Sequence, residues 1–378
     1  MCLAMSILDP WEDAAFIVES LRLARRARHE DSYVGDGIVR RRWGLHSFKD
    51  QQVKNRLRFT KDEIRELMDE LDFPGDEYWK LGCGSRFTRE EAITFYLRRL
   101  AQPSTLLNLA NEGFAAQRSA LSQLQQMVDA WLFNTHTARL LQTGMSKWAT
   151  RIPMYADRVK VHTEYDINVF GFVDGTSRPI AMPGYFQRNY YSGHKRHHVL
   201  QFLSVTAPDG MILYTYGPTD KVHNDNWLLR ACGMNSDMLP EMEMLLGERY
   251  GIYGDPIFGR TDYVSRSFPR ALARDHELDF NVRMNAARVS IENVFGIVVN
   301  LWQMLDFKRY FKIHQNSPAR TYLNAQFLTN CHNCIRPNQV AQMFDCQPPT
   351  LTEYLDLEEV VGAWQPDVTL YDDEIEII

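Results

Sequence analysis

A change in hydrophobic period near residue 168 constrains the fold more than any other feature of this chain. From about Thr60 to Leu141 the apolar residues recur at helical spacing, whereas from about Asn168 onward they form short continuous runs separated by turn signals. Such a change requires a helical region followed by strands that helices cover. The sequence therefore predicts an α/β protein with an α-helical N-terminal region.

Two capping boxes begin helices in the N-terminal region, Thr60-Lys-Asp-Glu63 and Thr88-Arg-Glu-Glu91. Short helices joined by tight turns are typical of a helix-turn-helix, but an ordinary helical bundle has the same spacing, so both interpretations stay open. In the first of them, the candidates for contact with DNA lie at the start of a helix predicted over residues 116–133. They are Gln117, Arg118, Ser119 and Gln123.

The later region predicts a series of strands and helices. Strands are predicted over 168–173, 197–206, 211–216, 249–253 and 279–282, a short helix over 226–232 and a long helix over 284–305. Asp174 and Asp255 each end a strand beside a glycine. On the long helix, Glu292 lies at the margin of the apolar stripe that contains Ile291.

These three carboxylates, brought together, would repel one another unless cations neutralised them. Carboxylate oxygens select Mg²⁺ or Mn²⁺, and a pair of such ions is the usual device for in-line displacement at a phosphate. Arg288 lies one helical turn before Glu292 and can pair with it. Because aspartates at strand ends are common, spacing alone leaves open whether the acids bind metal or are ordinary structural residues.

The formal charge of −6 is unevenly distributed. Residues 351–378 contain nine acidic residues and neither Lys nor Arg, and without those nine the charge becomes +3. A mildly basic body permits a nucleic-acid partner. The sequence predicts a basic, partly flexible segment over 1–58, with clusters at 25–29 and 40–42, a helical domain over 59–150, an α/β domain over 160–336, and an acidic, solubilising tail over 337–378.

Six scattered cysteines indicate a reducing compartment rather than a disulfide framework. The one close pair, Cys331 and Cys334, is predicted on a helix near the core, since a zinc site needs about four ligands. No apolar run reaches the ~18 residues of a membrane span, so no contact with a membrane is predicted. The first residues lack the basic segment and cleavage site of a secretion signal.

Several short segments occur in an order found in one family. They are Val173-Asp174-Gly175-Thr176, residues 190–197 (YYSGHKRH), Ala207-Pro208-Asp209-Gly210, His223-Asn224-Asp225, Tyr253-Gly254-Asp255-Pro256 and residues 288–296 (RVSIENVFG). Over about 165–335 the chain thus resembles the nuclease domain of PIF/Harbinger-type transposases, which are DDE superfamily endonucleases. The resemblance implies a ribonuclease-H-like mixed sheet flanked by helices. It implies Asp174, Asp255 and Glu292 as the catalytic, metal-binding acids, whereas Asp225 is expected to cap the helix over 226–232.

The function that this resemblance implies is a DNA endonuclease of transposase origin. It would hydrolyse phosphodiester bonds with two Mg²⁺ or Mn²⁺ ions, and strand transfer would follow. The residues expected to contact DNA are Lys195, Arg196, Arg288, Arg118 and Gln117.

The resemblance also implies partners and a location. The partners are double-stranded DNA, a separate Myb-like DNA-binding protein and further copies of the chain, and the location is the nucleus, with the cytoplasm as a second site. The alternative is a domesticated, non-catalytic DNA-binding or scaffold protein. The segment after Gly296 favours that alternative, because it is apolar where the family has basic residues.

Overall fold

The computed structural model describes residues 44–114, 116–313 and 316–360. Within them the predicted fold class is confirmed: a mixed sheet is flanked by helices and preceded by a helical region. The basic clusters at 25–29 and 40–42 lie outside the described residues, as do residues 361–378 of the predicted tail.

The helical region begins its helices where the sequence predicts. In both capping boxes the threonine hydroxyl accepts from the backbone N–H of the glutamate, and the glutamate carboxylate accepts from the threonine N–H. The helices are α1 (Asp50–Leu57), α2 (Lys61–Glu70), α3 (Arg89–Ala101), α4 (Leu106–Leu109), α5 (Arg118–Leu132), α6 (Ala138–Leu141) and α7 (Ile152–Thr163).

The sheet of the described residues has six strands. They are β1 (Val169–Pro179), β2 (Tyr191–Ser192), β3 (His197–Thr206), β4 (Ile212–Thr219), β5 (Gly251–Gly254) and β6 (Val264–Ser265). Strand β3 pairs antiparallel with β1, β2 and β4, whereas β5 pairs parallel with β1 and with β6. The order β3-β1-β5-β6 makes β1 the central strand. The predicted strand over 197–206 is confirmed at both ends.

Within the described residues, seven further α-helices follow β1. They are α8 (Gln187–Tyr190), α9 (Asp225–Ala231), α10 (Leu239–Leu246), α11 (Asp275–Leu301), α12 (Pro318–Ile335), α13 (Gln339–Phe344) and α14 (Leu351–Leu355). The strand predicted over 279–282 is wrong, because those residues belong to α11. Its apolar signal comes from Phe280, whose ring packs against Tyr165, Tyr253 and Phe268.

One continuous hydrophobic core joins these elements from Leu45 to Leu355. It includes part of the segment predicted as an acidic tail, because Leu351, Tyr354 and Leu355 of α14 are buried in it. The tail was predicted from the many acidic residues of 337–378, and the apolar positions among them were not recognised as core. No helix within the described ranges is long and apolar enough to span a bilayer.

Candidate active site

The two predicted aspartates lie side by side at the centre of the sheet. Val173 pairs with Gly254 in the parallel register of β1 and β5, so Asp174 and Asp255 occupy the next pair of positions on strands ~4.8 Å apart. Asp174 does not end its strand as predicted. Strand β1 continues to Pro179 because it pairs with β3 as far as Val199.

Arg288 links Asp174 to the third predicted acid. Its guanidinium lies 3.5 Å from Oδ2 of Asp174 and 3.2 Å from Oε1 of Glu292, the i,i+4 pair expected on α11. The Arg288 side chain is 15% exposed, and its Nε is buried without a hydrogen-bond partner. Glu292 is 54% exposed, so the acids are open to solvent on the helix side.

The surroundings of Asp174 disfavour its ionised form. Burial raises the pKa of Asp174 from its usual value of 3.8 to about 6. The positive charge of Arg288 and the hydrogen bond from the Gly175 N–H act in the opposite direction, and the charges of Asp225 and Asp255 raise the pKa further. Burial therefore outweighs the favourable contacts that Arg288 and the Gly175 N–H make with Asp174.

Asp225 is a fourth acid at this position, and its predicted role as the cap of the helix over 226–232 is wrong. The cap of α9 is Asn224, whose side chain accepts from the Trp227 N–H at 2.9 Å. The Asp225 carboxylate instead lies over Gly175, where an added Cβ would be 2.4 Å from its Cγ. It also accepts a hydrogen bond from the Gln201 amide. The signal in the sequence is the pair Asn224-Asp225, in which either residue can cap the helix.

The predicted DNA-binding residues of the α/β region lie on the turn before β3 and on α11. Lys195 is exposed and donates to Oγ of Ser177 at 2.7 Å, and Arg196 is exposed with φ +55°. Burial, followed by the positive charges of Arg178 and Lys221, lowers the pKa of Lys195. Several cations thus gather beside β1, a few residues beyond Asp174. Arg288 lies within the acid cluster.

The two remaining candidates belong to a different part of the molecule. Gln117 and Arg118 stand at the start of α5, which packs mainly against α3 and α12 rather than against the strands that carry the acids. Arg118 is exposed and Gln117 is partly buried. The structure therefore separates the predicted DNA-binding set into one group near the acids and one in the helical region.

The acids supply the right kind of ligand for a divalent cation without forming a complete cage. Within the described ranges, no three acidic, His or Cys side chains are arranged to hold a metal ion. Oδ1 of Asp255 accepts from the Ile257 N–H at 3.0 Å, and Arg288 stands between Asp174 and Glu292. Carboxylate oxygens fit Mg²⁺ or Mn²⁺, and such an ion would have to displace Arg288.

Cys331 and Cys334 lie on α12, as predicted. Burial raises the pKa of both thiols, which disfavours the thiolate form that zinc binds.

Comparison with known proteins matches part of the chain to a protein family. Residues 173–332 match a family model described as DDE superfamily endonuclease. This segment runs from the residue before Asp174 into α12, and it contains Asp255, Arg288 and Glu292. No curated protein and no solved structure matches the chain.

Proposed function

We propose that this protein is a divalent-metal-dependent DNA endonuclease of PIF/Harbinger transposase type. The observation that carries the proposal is the parallel register of Val173 with Gly254, which sets Asp174 and Asp255 side by side, while Arg288 joins Asp174 to Glu292. The match to an endonuclease family over the same residues supports it. Strand transfer after cleavage belongs to the same proposal.

Each acid has a distinct role in this mechanism. Asp174, on the central strand, would contact two Mg²⁺ or Mn²⁺ ions, with Asp255 and Glu292 each holding one of them. When bound, such ions activate water and stabilise the leaving oxygen at a phosphate. Arg288, once displaced from the carboxylates, is placed to contact the phosphate backbone, and Lys195 and Arg196 hold the strand beside β1.

The test is nicking of duplex DNA by the purified chain in Mg²⁺ or Mn²⁺. We expect Asp174→Asn, Asp255→Asn and Glu292→Gln each to reduce the rate at least ~100-fold, because each removes a charged metal ligand. Asp279→Asn is the matched control, since Asp279 is an exposed acid on the same helix that pairs with Tyr165 and Arg283. Retained nicking in the three site variants would contradict the proposal.

The remaining expectations stay proposals about the whole protein. We propose double-stranded DNA as substrate, a homo-oligomer as the working form, a separate Myb-like protein as the DNA-recognising partner, and the nucleus as the location. Arg118 and Gln117, which lie apart from the acids, would serve DNA positioning rather than cleavage. Substituting Arg118 with Gln should weaken duplex binding without altering the metal requirement, measured by fluorescence anisotropy and by nicking.

A domesticated, non-catalytic DNA-binding or scaffold protein is the second candidate. The position of Arg288 favours it, because a guanidinium contacts Asp174 and Glu292 where a metal ion would have to bind. Thermal unfolding in increasing Mn²⁺ separates the two. A nuclease should gain stability as the ion binds the folded state, whereas a scaffold should show no change.

A further inference from the structure

Residues 182–196 form an exposed segment that combines aromatic rings with positive charge. We call it the aromatic–basic segment; its sequence is MPGYFQRNYYSGHKR, and it contains no acidic residue. Tyr185 is 77% exposed, Phe186 71% and Tyr191 48%. Arg188, Lys195 and Arg196 are also exposed. Three of the exposed aromatic rings of the described residues thus lie in this one segment beside its positive charges.

The segment is held at fixed points rather than hanging free. The Ile180 N–H donates to the His198 carbonyl at 3.0 Å, and the Lys221 N–H donates to the Asn189 carbonyl at 2.7 Å. The Lys195 ammonium reaches Ser177 on β1. The side chain of Tyr190, within the segment, is buried. The exposed rings therefore stand on an anchored backbone.

The backbone conformation of Phe186 is energetically unfavourable. Its φ of +51° lies in the left-handed region, which a bulky residue seldom adopts and which Gly or Asn occupies more readily. Because the ring is exposed, burial of its apolar surface does not offset this strain. Strain at an exposed aromatic residue points to a contact that the isolated chain does not make.

The segment lies at a defined distance from the acids. Ser177, which Lys195 contacts, is three residues beyond Asp174 along β1, or ~10 Å at ~3.3 Å per residue. One DNA strand rises ~3.4 Å per nucleotide, so the Lys195 contact of the segment would lie about three nucleotides from the bond that the acids would cut.

We propose that the aromatic–basic segment binds unpaired DNA bases next to the cleaved bond. This rests on the proposed function, since it assumes a DNA substrate at the acids. The cations suit the backbone, and exposed rings are the platforms on which single-stranded bases stack. Bases inside a duplex do not offer their faces to a side chain, so the rings favour a frayed or overhanging end.

The test compares two labelled duplexes of equal length by fluorescence anisotropy in EDTA, where no metal-dependent cutting occurs. One has flush ends, and the other carries a short single-stranded overhang. We expect the wild-type chain to bind the overhang at least ~10-fold more tightly, because stacking is strong for each base. In Tyr185→Ala/Phe186→Asn this ratio should fall toward one. Asn is chosen because it tolerates the backbone of Phe186.

A control variant and a second readout with the wild-type chain complete the test. Tyr78→Ala removes an exposed ring in the helical region and should leave the ratio unchanged. The base analogue 2-aminopurine in the overhang should change its fluorescence with the wild-type chain, a readout that needs no variant to fold. Equal affinity for the two duplexes, or an unchanged 2-aminopurine signal, would overturn the proposal. Failure of metal-dependent nicking would contradict the endonuclease alone.

Discussion

At the scale of single residues, Arg288 lies between two of the acids and would compete with a metal ion for them. Its contacts of 3.5 Å to Asp174 and 3.2 Å to Glu292 are single and long, unlike a bidentate pair, and contacts of this kind are weak. We expect Arg288→Met to bind Mn²⁺ several-fold more tightly, because the ion no longer competes with the guanidinium. Isothermal titration calorimetry without DNA measures this affinity.

Arg283 provides the matched control on the same helix. It pairs with Glu164 at 2.7 Å and with Asp279 at 3.2 Å, outside the acid cluster. Arg283→Met should therefore leave the Mn²⁺ affinity unchanged. Weaker binding in Arg288→Met than in the wild-type chain would show that Arg288 orders the ligands instead of competing with the ion.

A second prediction at this scale concerns how the protonation of Asp174 changes the free energy of unfolding. Because burial raises its pKa to about 6, the folded chain keeps a proton that the unfolded chain releases near pH 4. Asp174 therefore contributes most favourably below pH 4, and that contribution is lost as the pH rises through 6. In EDTA at pH 7.5, we expect Asp174→Asn to raise the free energy of unfolding by on the order of 1–3 kcal/mol.

The difference between Asp174→Asn and the wild-type chain should narrow as the pH falls from 7 to 4, since the wild-type carboxyl is then protonated. Thermal or urea unfolding at several pH values measures it, with Asp279→Asn as the variant that lacks the effect. A site variant that is more stable and does not cut would mark Asp174 as a functional acid. Destabilisation at pH 7.5 would contradict the role of burial.

At the scale of elements, sequence predicted those whose signals are local. Strand β3 and the capped helices α2 and α3 are set by their own apolar spacing and capping residues. The first turns of α11 were missed, because residues 279–282 read as a strand. The Glu277 carboxylate does accept from the Arg274 N–H at 2.7 Å, but Arg is not one of the usual N-cap residues, so the helix start is hard to recognise in the sequence.

In the candidate site, too, features set by local sequence could be predicted, whereas contacts between distant elements could not. Asp174 and Asp255 were identifiable because each follows an apolar run and adjoins a glycine, and the i,i+4 pairing of Arg288 with Glu292 follows from helix geometry. The contact of Arg288 with Asp174 joins residues from two elements far apart in sequence, so spacing cannot reveal it. The approach of Asp225 to Gly175 is of the same kind.

Asn281 tests how the start of α11 is held. Its amide donates to the Phe268 carbonyl at 2.9 Å and accepts from the Phe268 N–H at 2.7 Å, and the side chain is buried. We expect Asn281→Ala to lower the free energy of unfolding by about 1–3 kcal/mol, because two partly buried backbone groups of Phe268 lose their partner.

Hydrogen exchange of Phe268 should accelerate in Asn281→Ala. Val282→Ala, one residue later and 68% exposed, should stay within ~0.5 kcal/mol of the wild-type chain. Equal effects of the two variants would show that the helix does not depend on the Asn281 contacts.

At the scale of the whole molecule, helix α12 ties the helical region to the sheet. Thr321 and Asn324 of α12 bond to Asp129 of α5 at 2.8 and 2.9 Å, while Asn330 bonds to both backbone groups of Ile212 on β4. These contacts lie in one core, so the domain boundary predicted near 150–160 crosses continuous packing. A single cooperative unfolding transition is therefore expected.

The packing of α14 gives the last prediction, because the sequence assigned this helix to an acidic tail. The Tyr354 side chain is fully buried, its ring lies 6.1 Å from those of Trp148 and Phe327, and its hydroxyl accepts from the Asn330 amide at 3.0 Å. We expect Tyr354→Ala to lower the free energy of unfolding by about 3–5 kcal/mol, through lost burial and a cavity. Urea unfolding followed by tryptophan fluorescence and by circular dichroism measures it. Because the core is shared, both probes should shift together, whereas Thr352→Ala on the exposed face of α14 should leave them within ~0.5 kcal/mol. An unchanged urea midpoint in Tyr354→Ala would show that α14 lies outside the cooperative core. It would then support the solvated acidic tail that the charge of this segment predicts.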